Sequence, residues 1–174
     1  MLRVAFVGFM IIISYVLQTT VFQEITLGVV APNLMLIIVC SYALLRGKKE
    51  GLIVGFFAGL LVDLFYGYFE VIGINALLFM IAGLLVGIFH NYLYLEDILI
   101  PVIAVGVCDF VYSFIYYVIT FALRNRLDIV SYIKSIILPE LVYTIFVCIF
   151  VYRIIMFINK KLEAFENRGE KEID

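Results

Sequence analysis

The fold class this sequence predicts is an all-α integral membrane protein with six transmembrane helices, and three observations predict it. Of the 174 residues, 66% are hydrophobic and 15% charged, with a mean hydropathy of +1.17. Soluble domains run about 45–50% apolar and about 25% charged. Six apolar segments approach the about 20 residues needed to cross hydrocarbon. The connections between them are brief, and none leaves room for a soluble domain.

The segments fall near residues 2–22, 28–45, 50–66, 71–90, 97–123 and 135–159. The first, MLRVAFVGFMIIISYVLQTT, begins like a signal peptide, but its apolar run is long and no small-x-small cleavage site follows, so it reads as a membrane helix. The third is short and the fifth long, which points to tilt or to helical extension into the interface. In the sixth, Pro139 and Glu140 suit the first turn of a straight helix, where proline lacks only a redundant donor and a carboxylate meets the positive end of the dipole. Residues 129–138 then form a short interfacial lead-in. Residues 1–160 make one transmembrane domain, and 161–174 a short charged cytoplasmic tail that continues the last helix.

Positive charge beside the spans sets orientation. Six crossings put Arg3, Arg46, Lys48, Lys49, Arg153, Lys160, Lys161, Arg168 and Lys171 on one side and only Arg124, Arg126 and Lys134 on the other. That bias of nine to three places both termini in the cytoplasm.

A net charge of −2 argues against nucleic-acid binding, which needs a basic face. Cys40, Cys108 and Cys148 each lie in an apolar run without paired spacing and read as small buried hydrophobes. The single histidine, His90, has no cluster with which to complete a metal site and reads as an interfacial polar residue. No nucleophile elbow or phosphate loop occurs. The sequence therefore points to no enzyme and no cofactor.

The stretch RGKKEGLIVGFFAGLLVDLFYG carries Gly51, Gly55, Gly59 and Asp63 at steps of four, ending at Gly67. Such spacing puts them on one gently spiralling helix stripe. Glycines on a membrane helix let a second backbone approach closely. Gly83 and Gly87 in the fourth segment have the same spacing. Two readings stand: packing of the third helix on the fourth, or an interface with a partner. Asp63 lies about 18 Å along the axis from Gly51, in the outer half of the bilayer. A carboxylate there is expected to accept hydrogen bonds from a helix N-terminus or hydroxyls, or to be protonated.

The fifth segment carries Asp109, Tyr112, Ser113, Tyr116 and Thr120 on one face. That polar stripe turns inward, as a ligand cavity or as a hydrogen-bonded seam, with Glu140 of the sixth segment as a further intramembrane carboxylate. The preferred reading is the seam.

Taken together, APNLMLIIVCSYALLRGKKEGLIVGFFAGLLVDLFYG resembles the signature region of the rod shape-determining MreD family. Its matching elements are Pro32 and Asn33 opening the second span, Leu44 and Gly47 at its exit, and Gly55, Phe56, Gly59, Leu60 and Asp63 in the third. The run from Gly73 to Gly87 and the late LPEL, Leu138 to Leu141, are also similar to the family. Asn33 departs from the family's more frequent Asp. The resemblance implies a non-enzymatic subunit of the cell-elongation machinery. Its partners would be membrane lipid, an MreC-like single-span protein and, indirectly, MreB filaments and the RodA/transpeptidase pair. It also implies a fold similar to the substrate-binding S-components of energy-coupling-factor transporters. A vitamin-binding S-component is accordingly the alternative function. Apolar helix faces and glycine seams are expected to receive the partner's transmembrane helix.

Overall fold

The computed structural model describes residues 2–24, 30–66, 73–91, 98–120 and 129–171. Gly67 and the connections at 25–29, 67–72, 92–97 and 121–128 lie outside the described residues. Every described element is helical: α1 (Leu2–Glu24), α2 (Leu34–Arg46), α3 (Lys48–Tyr66), α4 (Ile74–Ile88) with a 3-10 turn at Phe89–Asn91, α5 (Leu99–Thr120), α6 (Ile129–Tyr132) and α7 (Leu138–Lys171). Two stretches, Leu99–Ile119 and Ile129–Leu162, are long and apolar enough to cross a membrane, and shorter apolar helices cover Phe6–Phe22, Leu34–Arg46 and Ile74–Ile88.

α2 is the hub. Each residue from Leu34 to Leu45 is buried, and the helix packs against α1, α3, α4, α5 and α7. It is also shorter than its apolar run, because helix does not begin near residue 28 as expected. Pro32 disfavours helical backbone in the residue before it, and Asn33 caps instead, its side-chain oxygen accepting from the Leu36 N–H at 3.1 Å. Further support comes from α1 and α7: Gln18 Oε1 accepts from the Met35 N–H at 3.1 Å, and Thr144 Oγ1 accepts from the Asn33 N–H at 3.1 Å. A buried helix start in an apolar interior needs all of these partners. An amide does this capping without bringing a charge into the core.

At its other end α2 stops at Gly47, whose φ of +89° is a left-handed conformation open to glycine. The His90 ring packs over Gly47, and its Nδ1 contacts the Leu44 carbonyl. His90 therefore seals the end of α2.

The last helix starts where expected, with Pro139 and Glu140 in the first turn of α7, but its lead-in is itself helical and unbroken. α6 runs through a π-helical turn, Ile133–Ile137, directly into α7, and the Leu138 N–H donates to the Ile133 carbonyl. A proline inside an α-helix loses a donor and strikes the carbonyl four residues back. The wider π turn just before Pro139 accommodates both effects without breaking the axis. Glu140 consequently sits inside a continuous helical run and not at a free N-terminus.

Candidate functional site

The glycine stripe of α3 faces α4 in register. A Cβ on Gly51 would meet Ala43 Cβ at 2.5 Å and the Gly83 carbonyl oxygen at 2.6 Å. On Gly55 it would lie 2.7 Å from the Phe79 carbonyl carbon, and on Gly59 2.5 Å from Ala76 Cα. From the opposite side, Gly83 abuts the Gly51 backbone and Gly87 the Lys48 backbone at 2.5 Å. Each four-residue step up α3 meets a four-residue step down α4, so two antiparallel backbones touch along the whole stripe. The glycine seam is occupied within the chain. Of the two readings of the stripe, packing of the third helix on the fourth matches this geometry, and the seam does not stand open to a partner's helix because α4 already fills it.

Asp63 continues the same register, one turn beyond Gly59, and there α4 begins. Its Oδ2 accepts from the Ala76 N–H at 2.9 Å, and its Oδ1 accepts from the Asn75 Nδ2 at 2.9 Å and the Asn75 N–H at 3.3 Å. The residue at the N-cap of α4 is Gly73, at φ +106°, which has no side chain to cap with. Asp63 supplies the cap from the neighbouring helix, with its charge at the positive end of α4's dipole. Only 3% of its surface is exposed.

From there the polar contacts pass to α5. Tyr112 Oη donates to Asn75 Oδ1 at 2.7 Å, and its ring lies 5.2 Å from that of Phe79 and 6.0 Å from that of Tyr116. Ser113 Oγ donates to Glu140 Oε2 on α7 at 3.3 Å. Asp109, 1% exposed, lies beside Asn33 and Thr144, yet neither of its oxygens finds a partner of hydrogen-bonding geometry. The structure thus brings together two of the sequence's groups. Asp63, Tyr112 and Tyr116 join the α3–α4–α5 junction, while Asp109, Ser113 and Glu140 lie between α5 and α7.

Four contributors lay outside the sequence's candidates: Gln18, Asn33, Asn75 and Thr144. Asn75 had a legible signal, an amide two residues after a glycine at the head of an apolar run. Asn33 had one too, an amide after Pro32 three residues before Leu36, whereas Gln18 and Thr144 bond across 17 and 111 residues, and no local pattern announces such pairs.

This closed, bonded arrangement presents no group of three metal-binding side chains among the described residues. The comparison that decides kinship is a family model, described as rod shape-determining protein MreD, which matches residues 1–161. The chain belongs to the MreD family. Comparisons with curated proteins and with solved structures return no match. The MreD family consists of membrane proteins that determine rod shape, and the apolar helices of this member are compatible with that setting. Within it, the GFxxGLxxD run from Gly55 to Asp63 reads as a structural device: its glycines admit α4, and its aspartate caps α4.

Proposed function

We propose that this MreD-family chain is a non-enzymatic, multi-pass subunit of the bacterial cell-elongation complex. It crosses the membrane six times with both ends in the cytoplasm, in a fold similar to that of the S-components. It supports an MreC-like single-span protein and, through it, MreB filaments and the RodA/transpeptidase pair that builds lateral peptidoglycan. The family match over residues 1–161 carries this reading. The geometry supports it: Asp63, Asn75, Tyr112, Ser113 and Glu140 are spent on joining helices to one another. An apolar stripe of Val142, Phe146 and Phe150 on α7 is left outward, continued by Phe157 beyond the exposed Arg153. A partner helix has that face to rest on, and the glycine seam is not available to it.

Depletion should turn rod-shaped cells round, and detergent co-purification should recover the MreC-like protein, with no vitamin bound to the pure chain. Reporter fusions after Lys49 and Lys161 should read cytoplasmic, and those near Arg126 external. Recovery with an ATP-binding-cassette energising module and a tightly held vitamin would establish the S-component reading instead.

A further inference from the structure

The opposite side of α3 ends differently from its glycine side. There α1 runs alongside α3 without closing on it, leaving an apolar groove of about 570 Å³. Gly8 and Ile12 form one wall, and Ile53, Phe57, Leu60 and Leu64 the other. A Cβ on Gly8 would meet nothing within 4 Å, so the space is open where α1 is thinnest. The helices are parallel here, since Tyr15 reaches Phe65 with ring centroids 5.7 Å apart while Val7 and Glu50 flank the other end.

Cationic charge lies at one end only. Among the described side chains it is carried by the exposed Lys49, one turn before Ile53. Glu50, the carboxylate at that end, is half-buried and engaged within the chain. The far end is closed off by Leu64 and Phe65, both largely exposed and apolar. From Glu50 to Phe65 the groove extends about 22 Å at 1.5 Å per residue, against about 15 Å for one leaflet of an about 30 Å hydrocarbon core.

We propose that this groove binds an anionic membrane phospholipid, its acyl chain between α1 and α3 and its phosphate at Lys49. The proposal rests on the chain's membrane placement and not on its partners. A ligand with an apolar tail and one negative end matches a channel whose walls are apolar, whose one lining carboxylate, Glu50, is already engaged, and whose mouth carries the exposed Lys49. A single-span partner helix matches less well. Orientation by positive charge gives such a helix its own lysines and arginines on the cytoplasmic side, where they would face Lys49.

The full-length protein, purified in detergent and stripped of lipid, is titrated with dioleoyl phosphatidylglycerol or dioleoyl phosphatidylcholine and read by native mass spectrometry. The parent should hold the glycerol lipid about fivefold more tightly, as one basic side chain near an anionic head group provides. Lys49→Glu should abolish that preference and leave phosphatidylcholine binding unchanged. Gly8→Phe, growing into the open space, should weaken both lipids. If that variant does not purify as a single species, Ile12→Trp on the same wall serves with the same expectations. Equal affinity of the parent for the two lipids overturns the proposal, as does a groove-filling variant that binds both lipids like the parent. A photo-crosslinker at Phe57 in living cells should yield an adduct of lipid mass; an adduct to a protein overturns the lipid in favour of a docked helix. None of these readings involves cell shape or co-purification, so their failure leaves the scaffold role standing.

Discussion

One face of α3 is fused to its neighbour and the other is held apart from one, although both are apolar. On the α4 side, Gly51, Gly55 and Gly59 bring backbone against backbone. On the α1 side, Ile53, Phe57, Leu60 and Leu64 stand off a wall that includes Gly8. The difference shows that hydrophobicity alone does not close helices in an apolar solvent, where lipid competes equally for greasy surface. Shape does, through small residues in register and polar bonds at the end of the seam. A glycine without a facing partner, such as Gly8, makes a gap instead of a contact.

The largest expected effect breaks the seam directly. Gly59→Leu must displace the backbone of Asn75 and Ala76, not a flexible side-chain tip. Its cost should reach or exceed the about 3 kcal/mol upper end of ordinary overpacking, read as loss of monodisperse protein in detergent. Gly8→Leu should stay within about 0.5 kcal/mol of the parent in thermal unfolding, as substitutions in open space do. Equal behaviour of these two variants would erase the distinction between the two faces.

The next effect tests the seam's polar end. Asp63→Leu leaves the buried donors of Asn75 and Ala76 unanswered, at about 1–3 kcal/mol. Asp63→Asn should be milder, because its one carbonyl oxygen still serves part of that set while its amide opposes the remaining N–H. Melting temperatures in the order parent, Asn, Leu are expected; Leu above Asn would refute capping by Asp63.

The smallest effect is that of Tyr112→Phe, which removes only the bond to Asn75 Oδ1 and keeps the ring on Phe79. About 0.6 kcal/mol, the usual worth of a hydrogen bond between membrane helices, is expected. A double-mutant cycle with Asn75→Ala should show coupling of that size, and additivity would mean that the bond is not made.

By itself the sequence determined the helical class, the approximate segments and the glycine register, because those depend on composition and on a period of 3.6 residues. The same spacing put Asp63 on the seam. Only the tertiary structure decided what the stripe meets, since a glycine is equally suited to a neighbour in its own chain and to a partner's helix. It also moved the start of α2 to Leu34, where Gln18, Asn33 and Thr144 converge from three elements. It joined the lead-in to the helix that starts around Pro139 through a π turn, because widening the coil relieves the proline's clash without a break. The α1–α3 groove, too, has no signature along the chain. An unfilled space is a property of two helices placed side by side, and a single chain read in order records neither the distance between them nor what the membrane puts there.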